Sequence, residues 1–220
     1  MAHPLPPLSL LETRILGVLV EKEHTVPDTY PLSLNALLAG CNQKTSRDPV
    51  IDASEADLLE ALDTLRSHTL IIESSGSRVT RYGHNVGRVL QVPSQSVALL
   101  ATLMLRGPQT AAELRANSER LHKFADVSSV EAFLAELAER SAGGLVVELP
   151  RAPGARENRW AHLLSGMPEI PASAPGGHTG TPRDPLLADR VARLEDEVAT
   201  LRKQLARLYE VLGETPDPAA

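Results

Sequence analysis

Apolar residues recur at helical spacing in three segments near the start of the chain. In SLLETRILGVLVEKE, Ser9 and Glu12 form the pattern of a capping box, and an apolar stripe follows that contains Leu11, Ile15, Val18 and Leu19. Pro31 precedes LSLNALLAG, and proline suits the first turn of a helix because its missing N–H is not needed there. Ser54 opens SEADLLEALDTLRS, in which Leu58, Leu62 and Leu65 share one face. The pattern predicts three helices.

The segment after these helices has the pattern of β-strands. The segments LIIES and RVTRY lie on either side of Gly76, and such runs around a glycine turn are typical of a β-hairpin. Three helices followed by a hairpin is the element order of a winged helix-turn-helix domain. We therefore predict a first winged-helix domain over residues 1–90.

The same order of elements recurs over residues 91–166. Three helices are predicted for SQSVALLATLMLRG, TAAELRANSERL and SSVEAFLAELAER, with capping boxes at Thr110 and Glu113 and at Ser128 and Glu131. The segments GLVVELPR and NRWAHLL alternate apolar and polar positions, which predicts a second hairpin across APGARE. The expected fold class is mainly α with small β-hairpins, arranged as two tandem winged helix-turn-helix domains with a C-terminal coiled-coil helix.

The composition changes after residue 166. Residues 167–185 are rich in proline and glycine, which predicts a flexible linker. Residues 186–213 carry apolar side chains at heptad spacing, which predicts a coiled coil: Leu187, Val191, Leu194, Val198, Leu201, Leu205, Leu208 and Leu212. Valine at two a positions with leucine at every d position favours a parallel homodimer. The alternative is an amphipathic helix that folds back on its own chain.

The overall composition fits a globular protein of one or two domains. The chain has 220 residues, of which 42% are hydrophobic and only 3% aromatic, so the core must be aliphatic. Its single cysteine, Cys41, cannot form an internal disulfide. Neither a signal peptide nor an apolar run of about 20 residues is present. We therefore predict a cytoplasmic protein.

Few residues in the sequence suggest catalysis. The motifs GxGxxG, GxxxxGK[ST], GxSxG and HExxH do not occur, and the seven histidines are dispersed without metal-ligand spacing. We predict a non-enzymatic protein with no catalytic residues, no metal and no cofactor.

The charges are unevenly distributed, although the net charge is −6. The third helix of each predicted domain is acidic, which disfavours its approach to phosphates. The hairpins and the loop NQKTSRDP contain most of the cations that we predict to contact double-stranded DNA: Lys44, Arg47, Arg78, Arg81, Arg88, Arg151, Arg156 and Arg159. The alternative is that these cations are solvated or paired with the acidic helices.

The loop NQKTSRDP also has two interpretations. Its side chains are of the types that satisfy turn backbones locally, so Arg47 and Asp48 are expected to staple it to the domain body. Its length is unusual for a helix-turn-helix turn, and long polar loops are often functional.

Three segments resemble the YceH family of bacterial proteins: ETRILGVLVEKEHTVPDTYPLSLNALLAGCNQKTSRDPV, LRGPQTAAELR and LPRAPGARENRWAHLLSG. Thr13, Val26 and the TSR at Thr45–Arg47 depart from the family pattern. The resemblance implies a tandem winged-helix protein. It supplies no catalytic residue and no cofactor.

The sequence thus favours a DNA-associated factor, similar to a transcription regulator, that contacts phosphates through its hairpins. The alternative is a protein-interaction adaptor that uses the acidic third helices and the polar loop 42–48 to bind a protein partner.

Overall fold

The computed structural model describes residues 5–74, 79–151 and 154–168. Three predictions lie outside these residues: the phosphate contact by Arg78, the linker over 167–185 (apart from residues 167 and 168) and the coiled coil over 186–213. The described part is mainly helical with small antiparallel sheets, as the sequence predicts. In these residues, no helix is both long enough and apolar enough to cross a lipid bilayer.

The first half of the described chain contains three helices and three strands. In chain order they are α1 (Leu10–Thr25), β1 (Leu32–Ser33), α2 (Leu34–Cys41), α3 (Glu55–Ser67), β2 (Ile71–Ser74) and β3 (Arg81–His84), with a short 3-10 turn at Pro27–Thr29. Ser9 and Ser54 cap α1 and α3 through capping boxes. Pro31 is not in the first turn of α2 as predicted, because Ser33 is the residue that caps this helix.

The second half contains four helices and two strands. They are α4 (Val86–Leu90), α5 (Ser94–Arg106), α6 (Ala111–Asn117), α7 (Val127–Ala138), β4 (Val146–Leu149) and β5 (Arg159–His162). The capping box at Thr110 is confirmed. The one predicted at Ser128 is wrong, since Asp126 caps α7 and accepts from the Ser129 backbone N–H.

The strands form two antiparallel sheets. β3 lies between β1 and β2 in a three-stranded sheet, and β4 pairs with β5. A backbone bridge joins Gln109 to Trp160 through two hydrogen bonds of 3.1 and 2.7 Å, and it attaches the second hairpin to the segment between α5 and α6.

The core is shared by both halves. α1 packs against α5 more extensively than any other two described elements pack together, and fully buried leucines on both helices fill the contact. Gly17 permits this approach, because a Cβ there would lie 2.8 Å from Leu105 Cγ. All described residues belong to one compact unit, Met1–Ile170. The division of this unit into domains at residues 90 and 91 stays a prediction.

Candidate functional site

Two arginines hold the polar loop, which we define as residues 42–53 between α2 and α3. Arg14 of α1 is fully buried, and its guanidinium donates to the carbonyl oxygens of Cys41 (3.2 Å) and Pro49 (2.6 Å). Burial is the main cause that lowers the pKa of Arg14, and the nearby charge of Arg47 lowers it further. Arg14 therefore takes the place of backbone donors that an irregular segment lacks.

Arg47 lies inside the protein and not on its surface. Its Nε donates to the Gly40 carbonyl (3.1 Å), and its two terminal nitrogens bind both carboxylate oxygens of Glu21 at 3.1 and 2.6 Å. Burial alone would raise the pKa of Glu21, but the hydrogen bond and charge of Arg47 outweigh it and lower that pKa. With only 6% of its surface exposed, Arg47 is not accessible to DNA, so we remove it from the predicted phosphate contacts.

Further hydrogen bonds attach the loop to both halves of the core. The side-chain amide of Asn42 pairs with both backbone groups of Ala53, at 2.9 Å each. The Asp48 backbone N–H donates to the Leu105 carbonyl at 2.8 Å, and Arg106 donates to Ser46 Oγ at 2.8 Å. The loop therefore braces α1 against α5. Arg47 fills the stapling role expected of it, whereas Asp48 does so through its backbone.

Arg81 of the first hairpin lies at the surface. It donates to the carbonyl oxygens of Thr29 (3.2 Å) and Pro31 (2.8 Å), and its side chain stays exposed. These bonds are to neutral carbonyls, so the positive charge of Arg81 is not cancelled by a carboxylate.

The arginines of the second hairpin, Arg151 and Arg159, also lie at the surface. Arg159 donates to the Pro108 carbonyl at 2.7 Å and forms an exposed ion pair with Glu113 at 3.0 Å. Arg151 is exposed and has one long contact, 3.4 Å, with Asn158 Oδ1. Exposed pairs of this kind contribute little to stability, so a phosphate could displace Glu113 at small free-energy cost.

Three of the candidate cations form no hydrogen bond or ion pair within the described part of the chain: Lys44, Arg88 and Arg156. All three side chains are exposed. Lys44 projects from the polar loop, Arg88 from α4 and Arg156 from the turn of the second hairpin. Their charges are therefore available to a partner without the loss of a described hydrogen bond or ion pair.

The third helix of the first half has the opposite character. The carboxylates on the exposed surface of α3 belong to Glu55, Asp57, Glu60 and Asp63. Arg66 is drawn into this surface by Asp63 (2.6 Å) and Glu73 (3.4 Å). The prediction that α3 presents an acidic surface is consistent with these positions.

A groove lies between α7 and the β4–β5 hairpin, with a volume of about 730 Å³. Three carboxylates line it, those of Glu131, Glu139 and Glu148, together with apolar side chains and the indole of Trp160. Trp160 is the single tryptophan of the chain and is partly exposed. An acidic and apolar groove is suited to a basic amphipathic segment and not to a phosphate backbone.

Two buried titratable groups have strongly shifted pKa values. Burial raises the pKa of Cys41 to about 12, so its thiol stays protonated and unreactive. Burial lowers the pKa of His162 to about 4, and its Nδ1 has no hydrogen-bond partner. The described residues contain no group of three or more His, Cys, Asp or Glu side chains placed to hold a metal ion.

Sequence reasoning missed Arg14 and Glu21, which hold the loop from α1. A signal for Arg14 was present, because it lies between Leu11 and Val18 on the apolar stripe of a helix that is otherwise aliphatic there. A charged residue at such a position must find buried partners. Glu21 carried no comparable signal, since charged residues surround it.

The chain is similar to bacterial proteins of one family. The model of the family described as "Protein of unknown function, DUF480" matches residues 8–155. A UPF0502 protein of Dechloromonas aromatica is 63% identical over 207 residues, which cover 93% of this chain and 97% of that protein. A UPF0502 protein of Leptothrix cholodnii is 60% identical over 219 residues, which cover 96% and 98%. The family expected from the sequence is confirmed, and the chain belongs to the DUF480 family of YceH-like UPF0502 proteins.

Proposed function

We propose that this protein is a non-enzymatic, tandem winged-helix factor that binds double-stranded DNA through phosphate contacts from its hairpins. The observation that carries the proposal is the exposure of the hairpin and α4 arginines, whose charges are not cancelled by buried carboxylates. Residues 1–90 and 91–166 are the two proposed winged-helix domains, and Lys44 adds a cation from the polar loop.

The acidic third helices determine how such a complex would be arranged. Carboxylates on α3 would repel phosphates, so this helix is not expected to enter the major groove. Contacts from Arg81, Arg88, Arg151, Arg156 and Arg159 would position the protein on the backbone without reading base edges. The expected binding is therefore weakly sequence-specific and strongly dependent on salt.

The clearest test uses the two arginines that form no hydrogen bond or ion pair with a described residue, Arg88 and Arg156. Arg88→Gln and Arg156→Gln remove charge without disrupting a described hydrogen bond, and fluorescence anisotropy can follow binding to a labelled duplex. Each substitution should weaken binding and reduce the slope of log K against log salt by about one.

The matched control is Arg66→Gln, which makes the same charge change on the acidic α3 surface. This variant should bind DNA like the parent chain. Absence of binding at low salt, or an equal loss for Arg66→Gln, would reject DNA contact by the hairpins.

The coiled coil extends this proposal to a homodimer. Residues 186–213 would pair in parallel, so that each dimer presents four hairpins and gains affinity from simultaneous contacts. Sedimentation velocity should give a dimer for the parent chain and a monomer for the double variant Leu194→Asp and Leu201→Asp. A monomeric parent would reject dimerisation, and the DNA contact could still be tested separately.

The acidic groove beside α7 favours a second candidate function, a protein-interaction adaptor. Its carboxylates and the Trp160 indole fit a basic amphipathic segment of a partner protein. Trp160 fluorescence should respond to a synthetic helical peptide with lysines on one face and leucines on the other. Substitution of Glu131 and Glu139 by glutamine should weaken the response. An equal response to the same peptide with glutamates in place of lysines would reject this function.

A further inference from the structure

A separate cavity lies where the ends of α1 and α5 meet the polar loop. Its volume is about 210 Å³. Three cationic side chains line it, from Lys22, Arg106 and Arg120, and the single acidic residue in its lining is Glu21. Arg47, which does not line the cavity, already pairs with Glu21, at 2.6 Å between its terminal nitrogen and the carboxylate oxygen. The cavity therefore has an excess of positive charge.

Most of the donors around this cavity are not used internally. Arg106 donates one N–H group to Ser46 Oγ (2.8 Å). The ammonium nitrogen of Lys22 forms a long ion pair, 3.4 Å, with a carboxylate oxygen of Glu21. Arg120 is exposed and forms no hydrogen bond or ion pair with any described residue. Because a guanidinium carries five N–H donors, two arginines and a lysine leave many donors for an external acceptor.

Helix ends account for only part of this charge. Lys22 and Arg106 lie in the last turns of α1 and α5, where a cation stabilises the helix dipole. Asn117, at the end of α6, places a third helix terminus beside the cavity. Each terminus carries roughly half a negative charge, so three termini offset about half of the three positive charges. The remaining charge still favours an anion.

We propose that this cavity binds the terminal phosphate group of a small phosphorylated ligand. Arginine binds phosphate oxygens in a bidentate manner, and Arg106 and Arg120 approach from different elements, which suits a tetrahedral dianion. A terminal phosphate can enter a small cavity from one side, whereas a DNA strand must both enter and leave it. The site is separate from the hairpins and does not depend on DNA binding.

The test is an isothermal calorimetric titration of the full chain with inorganic phosphate at constant ionic strength. The parent chain should bind, and Arg120→Gln and Lys22→Gln should each weaken binding about tenfold, because each removes one charge-assisted contact. The matched control is Arg88→Gln, because Arg88 is exposed, does not line this cavity and forms no hydrogen bond or ion pair with a described residue. Circular dichroism will show whether each variant is folded.

Two results would overturn the proposal. The first is a parent chain that does not bind phosphate, or binds it no better than Arg120→Gln. The second comes from competition between phosphate and an oligonucleotide with or without a 5′-phosphate. Displacement only by the phosphorylated form supports a site for terminal phosphates. Equal displacement by both forms would assign the cavity to backbone phosphodiesters and reject the proposal.

Discussion

Arg47 in the polar loop and Arg156 in the second hairpin are the same residue type in segments without regular structure, yet their environments are opposite. Arg47 is buried against Glu21 and two backbone carbonyls, whereas Arg156 is exposed and forms no hydrogen bond or ion pair with a described residue. The difference is the presence of unsatisfied acceptors within reach. Carbonyl oxygens in the last turn of α2 and in the irregular loop need donors, and Arg47 and Arg14 supply them. A turn of a hairpin exposes its backbone to water and needs no such donor.

The largest expected effect comes from removal of Arg47. Arg47→Met would leave the partly buried Glu21 carboxylate with Lys22 alone and would leave the Gly40 carbonyl without its side-chain donor. Breaking a buried pair from one side typically destabilises by about 3–5 kcal/mol, and we expect a loss in this range. Urea unfolding followed by circular dichroism measures it.

A double-mutant cycle provides the control for Arg47. The double variant Arg47→Met and Glu21→Met should recover part of the stability lost in the single variant, because no uncompensated carboxylate then remains. Equal losses for the single and double variants would show that Arg47 acts mainly through the loop carbonyls.

The second-largest expected effect is a loss of stability at low pH, caused by His162 in the second hairpin. His162 on β5 has its pKa lowered to about 4 by burial, below the ordinary value of 6.5. Between these values the unfolded chain binds a proton that the folded chain excludes, so stability is complete above pH 6.5 and falls toward pH 4. The loss is up to about 3 kcal/mol.

His162→Phe isolates this contribution. Urea unfolding at several pH values should give a parent curve that falls more steeply than the curve of the variant between pH 6.5 and 4. Parallel curves over that interval would mean that His162 becomes protonated equally easily in the folded and unfolded chains.

A smaller loss is expected from the bracing amide of the loop. Asn42→Ala removes two hydrogen bonds to the Ala53 backbone, each 2.9 Å long, and should destabilise by about 2 kcal/mol. Asn42→Asp retains the acceptor but places a carboxylate oxygen against the Ala53 carbonyl oxygen, so its loss should be at least as large. A neutral result for Asn42→Ala would indicate that water replaces the amide.

The smallest expected effect on stability comes from substitution of the exposed arginines Arg88 and Arg156. Arg88→Gln and Arg156→Gln should each change stability by less than about 0.5 kcal/mol, since both arginines are exposed and neither forms a hydrogen bond or ion pair with a described residue. Thermal unfolding measures this. A large loss of stability for either variant would mean that the exposed arginine has a structural role like that of Arg47.

Local signals in the sequence predicted the mainly helical content and the starts of several helices. The capping boxes of Ser9 and Thr110 are recognisable in the sequence because each lies within four residues, and Ser54 is recognisable as the residue that opens α3. The cap of α7 was misplaced because Asp126 and Ser128 are both good capping residues, and only the backbone conformation distinguishes them. The short helix α4 and strand β1 carried no periodic pattern that would identify them.

The candidate site was harder to predict because its contacts are distant in sequence. The sequence left two interpretations open for Arg47, a phosphate contact and a staple of the loop, because its partner Glu21 lies 26 residues earlier, on α1. The charged cavity involves Lys22 and Arg120, which no local pattern connects. By contrast, the exposure of Arg88 and Arg156 follows the ordinary preference of charged side chains for water, and it was correctly expected.

The shared core has a consequence for the way the chain is synthesised. The N-terminal helix needs Leu105 beside Gly17, and the segment around Asp48 needs the carbonyl of the same leucine. A nascent polypeptide that has emerged only as far as α4 therefore still exposes an aliphatic surface and an incompletely bonded segment. Productive closure must wait until the ribosome has released α5, and a fragment truncated before that helix is expected to aggregate.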